Sequence, residues 1–398
     1  MRQRALLFVT LALLLLCLPS SSPAYSVLAH EALIDNAWDR QLVLLLSRRF
    51  PRASTQELRE ARAYAYGGSL IQDLGYYPFG SRFFSNVVHY VRSGDFVAAL
   101  VRDAQTVDEY AFALGALAHY ASDNAAHPTV NHALPEVYPK LRAKYGDNVL
   151  FGDSPARHVM VEFSFDVLQV ARGQFKSDAY QDLIGFEVAR PLLERAFHET
   201  YGLELKDLFG DVSLAIGTYR HAASEIIPDV TRVAWREKRD EILAATPDVA
   251  EHDFIYTMTR QQYEDTYGTE YRKPSFLVRL VVAVFKIIPK FGPFKPLAFE
   301  PLTADLEQAF LDSFDASCER YRRLLGAIKD GRLSLNDTDL DTGRPPAHGV
   351  NTLADKTYDE LLAKLQRKDG GPISPALKRA LADHYDSPPS RTSSAGGK

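Results

Sequence analysis

Cysteine is nearly absent from this chain of 398 residues, which holds only Cys17 and Cys318. Cys17 falls in an N-terminal leader, so the mature chain keeps Cys318 alone and cannot close an internal disulfide. Stability must come from packing or from metal. Basic surplus is missing too: 46 Lys and Arg stand against 51 Asp and Glu, and setting aside Arg2 and Arg4 of the leader takes the formal charge to about −7. That balance offers nucleic acid no electrostatic footprint, and no stable nucleic-acid partner is expected. No apolar run is long enough to span a bilayer, no alternating pattern of useful length marks a strand, and no repeat of fixed period recurs. The proportions, 46% hydrophobic and 24% charged, exclude a disordered, fibrous or wholly membrane-embedded chain.

Residues 1–24 read as a signal peptide. Arg2 and Arg4 form the positive start, residues 5–18 are apolar but too short to cross a membrane, and residues 19–24 form a small-residue cleavage region. Ser22 and Ala24 suit the two small positions before the cut, which makes Tyr25 the first mature residue and the protein secreted, extracellular or periplasmic. A lipid attachment at Cys17 is opposed by the bulk of Leu15 and Leu16. The expected organisation is this leader, one helical domain over 25–386, and a disordered tail over 387–398, rich in Pro, Ser and Gly.

From Ala32 onward, apolar residues recur at three- and four-residue spacing between short polar segments, which predicts an all-α fold. Ser54 with Glu57, Thr106 with Glu109 and Thr357 with Glu360 read as capping boxes, and Ser154 before Pro155 as a further helix start. Residues 76–84, YYPFGSRFF, make an aromatic loop that no regular helix would hold. Residues 274–299 mix Arg279, Lys286, Lys290 and Lys295 with apolar residues and are punctuated by Pro289, Pro293 and Pro296, which suits either the surface of an anionic bilayer or a buried helix pair.

Six of the eleven histidines lie between His30 and His158. His119, Asp123 and His127 are spaced four apart, so at about 40° between successive directions they share one helix face. Pro128 disfavours helical geometry at His127 and places it at a helix end. His158 and Glu162 form a second pair of the same spacing. A lone histidine on an apolar helix is usually a satisfied core residue, but two such elements together favour a metal site, because burying so many ionisable groups without a cation is costly. Imidazole and carboxylate without sulfur are the ligands of catalytic rather than structural zinc.

The ordered set His30, Asp73, His89, His119 with Asp123, His127, and His158 with Glu162 resembles the zinc-dependent phospholipase C family over about residues 25–173. That family is all-helical, with a three-zinc site shared with secreted single-strand-specific zinc nucleases. The resemblance implies zinc, three ions per chain, with Asp73, His89, His119 and Asp123 on one, His127, His158 and Glu162 on a second, and Tyr25 with His30 on the third, bridged by Asp123. In this family the mature N-terminus is itself a ligand, and cleavage before Tyr25 puts His30 at mature position six, where the nucleases carry a zinc-binding histidine. Tyr25 replaces the usual tryptophan. His127 stands two residues nearer Asp123 than in the bacterial enzymes, a spacing similar to the phospholipase domain of glycosylphosphatidylinositol-specific phospholipase D; His132 is the rival ligand. Asp166, one turn beyond Glu162, is expected to support the site or face solvent.

What the resemblance implies chemically is phosphodiester hydrolysis by zinc-activated water, with no covalent intermediate. Asp73 is the catalytic candidate, to orient or deprotonate that water, with hydroxide at the metal as the alternative acceptor. The expected substrate is phospholipid at a membrane surface; the alternatives are a secreted zinc nuclease and a metal-stabilised lipid-binding protein without turnover. The aromatic loop would border the site, its rings holding a quaternary ammonium or a base, or only packing. Asp337, Asp339, Asp341 and Gly343 resemble a calcium loop, but the glycine is one place late and His348 occupies the last position, so a solvated loop is expected. Cys318 is expected to pack as a small apolar residue.

Overall fold

The computed structural model describes residues 27–77, 79–172, 185–245, 247, 249–255, 302–367 and 373–386. The leader, Tyr25, Pro78, the 274–299 segment and the tail lie outside them. Helix α1, Val27–Ala37, passes through a π-type turn, Trp38–Leu42, into α2, Val43–Arg49. Next come α3, Thr55–Leu70, a 3-10 turn over Ile71–Tyr76, α4, Arg82–Tyr90, α5, Ser93–Asp103, and the long α6, Val107–Val137. Then follow α7, Pro139–Tyr145, α8, Pro155–Ala171, α9, Arg190–Tyr201, and α10, Val212–Glu237. The short α11, Arg239–Ala245, and α12, Glu251–Phe254, precede α13, Ala304–Lys329, α14, Thr352–Arg367, and α15, Pro375–Asp386. Among the described residues there is no strand, only an isolated bridge between Asp339 and Arg344. The fold is all-α, as the periodicity predicts.

The helix starts follow local chemistry where side chains can reach the free N–H groups. Ser54 Oγ accepts from Glu57 N at 3.2 Å while Ser54 N donates to Glu57 Oε2 at 2.7 Å, a complete capping box. Thr106 caps Glu109 N, but Glu109 reaches back to Gln105 N instead. Pro155 begins α8 directly after Ser154. The Thr357 start is wrong: α14 already begins at Thr352, where Asn351 Oδ1 accepts from Leu353 N and Ala354 N, and Thr357 lies inside the helix with its hydroxyl donating to Leu353 O. An asparagine cap outcompetes the later threonine because it comes first in an apolar face that must be buried whole.

Helix α6 corrects a second expectation. It does not stop at His127 but runs through Pro128 and Pro135. An interior proline costs about 3 kcal/mol, and here Ala126, Val130, Ala133 and Leu134 bury an apolar face against Ala29, Val161, Phe165 and Phe310. Burial of several such side chains, at about 1.5–3 kcal/mol for each large one, exceeds that cost.

The principal core runs from Leu28 and Leu33 of α1 through Tyr66, Phe112 and Tyr201 to Tyr358 and Leu381 of the last two helices. At its centre α3 lies against α6 almost backbone to backbone: a Cβ on Gly68 would stand 1.9 Å from the Phe112 carbonyl oxygen, and one on Gly115 would stand 2.0 Å from that of Ala65. Only glycine permits this approach. Helix α13 closes the other side of α6, with Tyr321 Oη donating to Leu114 O at 2.9 Å. Cys318 packs in this core as expected, and burial pushes its thiol up to about 12. None of the helices among the described residues is long and apolar enough to cross a membrane.

Candidate metal centre

The close packing of α3 on α6 has a chemical result. It sets the Ser69 carbonyl, at the end of α3, 2.8 Å from Nδ1 of His119. On α4 the Ser85 carbonyl stands 2.7 Å from Nδ1 of His89. A carbonyl can only accept, so each ring carries a proton on Nδ1 and turns Nε2 inward. The two Nε2 atoms lie 3.3 Å apart.

Asp123 lies between them and the other ligand candidates. Its Oδ2 is 2.9 Å from His119 Nε2, 3.4 Å from His89 Nε2 and 3.8 Å from His127 Nε2, and its Oδ1 is 3.7 Å from His30 Nε2. His89 Nε2 is also 3.6 Å from Asp73 Oδ1, supplied by the 3-10 turn after α3. Helix α8 brings His158 and Glu162, 3.0 Å apart, with Glu162 Oε1 3.7 Å from His127 Nε2. All eight side chains are buried. They form three triangles that could each hold an ion: His30, His119 and Asp123; Asp73, His89 and His119; His127, His158 and Glu162. His119 belongs to two of them.

Burial acts differently on the members. It lowers His127 and His158 to about 3 and takes His30 well below its ordinary value, so these rings are neutral and able to ligate. Burial would lower His119 as well, but Asp123 and Asp73 outweigh it and raise the ring to about 9. Asp123 is held well below the carboxylate range because His119 and His127 outweigh its own desolvation. Asp73 is pushed well above that range by burial and then by the neighbouring carboxylates. Buried carboxyl oxygens such as Asp73 Oδ1 find no hydrogen-bond donor. A donor set of imidazole and carboxylate without sulfur, aimed at shared centres, fits zinc.

The structure places the other candidates as follows. His132 lies at the surface with Nδ1 3.1 Å from the Asp147 carbonyl, apart from the cluster. Asp166 is buried and accepts from Leu28 N at the start of α1. In the aromatic segment, Phe83 and Phe84 belong to α4 rather than to a loop, Tyr77 stacks on Tyr219 at 3.6 Å, and Phe79 is 44% exposed. Tyr76 borders the cluster, its ring 5.9 Å from His89 and 5.4 Å from Phe151. The loop expected to be solvated is not: Asp339 and Asp341 are buried, and Asp341 Oδ1 is 4.0 Å from His127 Nδ1. It was missed because no local spacing relates it to a histidine more than two hundred residues away.

Residues 29–211 match the model of a family described as zinc dependent phospholipase C. The match extends beyond the 25–173 stretch that carries the motif residues, taking in α9. No curated protein and no solved structure matches the chain. The matched stretch, from within α1 through α9, carries all eight side chains of the buried cluster, and over it the chain is similar to the zinc-dependent phospholipase C family.

Proposed function

We propose that the protein is a secreted phospholipase C that cleaves glycerophospholipid to diacylglycerol and a phosphorylated headgroup, with three zinc ions per chain. The observation that carries this reading is the set of three buried triangles, two sharing His119 and the third reaching Asp123 Oδ2 through His127 Nε2 at 3.8 Å, within a stretch that matches this family. Asp73, His89, His119 and Asp123 would hold one ion, and His127, His158 and Glu162 a second. The third would fall to His30 and Asp123 with the amine and carbonyl of Tyr25. Helix α1 supports that assignment, since Val27, its first residue, is already buried and Leu28 N is tied to Asp166.

Zinc bound in such a site supplies activated water near neutral pH, offsets the phosphate charge and stabilises the departing alkoxide. The chain's own residues arrange the reactants. Asp73 orients the attacking water and can take its proton on Oδ1. Tyr76 and Phe151 wall off solvent beside His89 and His158. Residues 274–299, with Arg279, Lys286, Lys290 and Lys295, would bring the enzyme to an anionic bilayer.

Mature protein refolded with zinc should release diacylglycerol from phosphatidylcholine or phosphatidylinositol vesicles and leave single-stranded DNA intact. DNA cleavage without lipid hydrolysis would transfer the site to a nuclease, and zinc binding without either activity would leave a lipid-binding protein.

Zinc uptake should also depend on pH. Below about 9 the metal-free protein carries a proton on His119 that the metal must displace. Apparent affinity therefore rises with pH toward 9, and binding at pH 7.5 releases protons. Calorimetric titration in buffers of different ionisation enthalpy measures this directly; heats independent of buffer would contradict it.

A further inference from the structure

The loop between α13 and α14 follows the family-matched residues by more than a hundred positions, yet it is built into the cluster. Leu340 N donates to the His89 carbonyl at 3.1 Å, and Asn131 Nδ2 of α6 donates to the Asp341 carbonyl at 2.7 Å. Gly343, at φ +66°, lies against the stretch of α6 where Pro128 can give no N–H to the Asn124 carbonyl. A Cβ there would stand 2.6 Å from that carbonyl oxygen, so the proline in α6 and the glycine in the loop are fitted to each other.

These contacts fix one carboxylate. Asp341 Oδ2 accepts from Phe151 N at 3.0 Å and lies 3.5 Å from Asn351 Nδ2, which itself holds Asp339 Oδ2 at 2.9 Å. Asp341 Oδ1 is buried, has no hydrogen-bond partner, and faces His127 Nδ1 at 4.0 Å. The opposite nitrogen of that ring, Nε2, faces Glu162 and Asp123. In His89 and His119 the outward Nδ1 meets a backbone carbonyl. At His127 the corresponding place is occupied by a carboxylate.

We propose that Asp341 is a positioning residue for His127: its Oδ1 accepts the Nδ1 proton and so presents the bare Nε2 to the zinc held with His158 and Glu162. The assignment rests on the zinc reading above and adds to it a residue from outside the family-matched stretch. The separation of 4.0 Å is longer than a hydrogen bond, and with Nε2 engaged by a metal a small turn of the ring would close it. A carboxylate behind a ligating imidazole fixes its tautomer and raises its basicity, and losing one typically costs 10–100-fold in metal affinity.

Asp341→Asn is the informative variant. Phe151 N still requires an acceptor, so the amide oxygen stays there and the NH2 turns toward Nδ1, favouring the tautomer that carries its proton on Nε2. In the mature, full-length protein, chelator competition should show one of the zinc ions bound 10–100-fold more weakly, the others unchanged, and the melting temperature of the zinc-free protein unmoved. Unaltered affinity at every site, or an equal loss of stability with and without zinc, would overturn the proposal. Imidazole 15N NMR of the zinc-loaded wild type needs no variant: a protonated His127 Nδ1 with a strongly downfield proton is expected, and a metal-bound Nδ1 would refute the assignment. Wild-type protein that takes up no zinc would defeat this proposal and the proposed function together, whereas normal wild-type uptake unaffected by Asp341→Asn would defeat this one alone.

Discussion

Asp123→Asn is expected to lower kcat/KM for phospholipid by about 1,000-fold or more, which corresponds to about 4 kcal/mol of lost transition-state stabilisation. The substitution preserves shape and removes charge. One oxygen of Asp123 lies near three histidine Nε2 atoms and the other near a fourth, and an amide can offer only one acceptor oxygen while its NH2 points at imidazole nitrogens that must themselves remain bare for a metal. In the proposed site the same residue bridges two ions, so both should be weakened. Metal analysis of the variant should return fewer than three zinc ions per chain, and steady-state kinetics with saturating zinc should not restore the rate. A variant that keeps its full zinc content and loses less than tenfold in kcat/KM would show that Asp123 is a buried counter-ion to His119 and nothing more.

The order of legibility follows the range of the interactions. Periodicity of three and four is local, and it was enough for the all-α fold and for the shared face of His119, Asp123 and His127. The start at Ser54 was legible for the same reason, since the cap and its partner are three residues apart. Pro128 misled because proline is a statement about local backbone geometry, whereas the helix continues on account of what Val130 and Leu134 bury against α8 and α13. Thr357 misled because Asn351, an equally good cap, lies just upstream and begins the helix earlier. The Ser69 and Ser85 carbonyls that set the histidine tautomers are backbone atoms, which no residue pattern advertises. Asp341 is the extreme case. Its spacing from Asp339 suggests a calcium loop, but its role depends on α6 and Phe151, which only the folded chain brings to it.

Removing zinc should lower the melting temperature by about 10 °C or more without unfolding the protein at room temperature. Each saturated site contributes about 4 kcal/mol when free zinc is 1,000 times its dissociation constant, and in a chain of this size each kcal/mol moves the midpoint by roughly 1–2 °C. Two features keep the metal-free state folded. The charges can rearrange in place, because His119, raised to about 9, stays protonated beside ionised Asp123 while Asp73 holds its proton. The principal core, with α3 and α13 packed on α6, also closes without reference to the cluster. A small zinc finger has neither resource and unfolds on chelation. Calorimetry before and after chelator, followed by stoichiometric zinc, reads the effect: the upper midpoint should return with zinc and not with magnesium, whose preference for oxygen ligands a histidine-rich site does not meet. Identical midpoints with and without chelator would mean that the buried histidines and carboxylates satisfy one another, and that the cluster is a polar core rather than a metal centre.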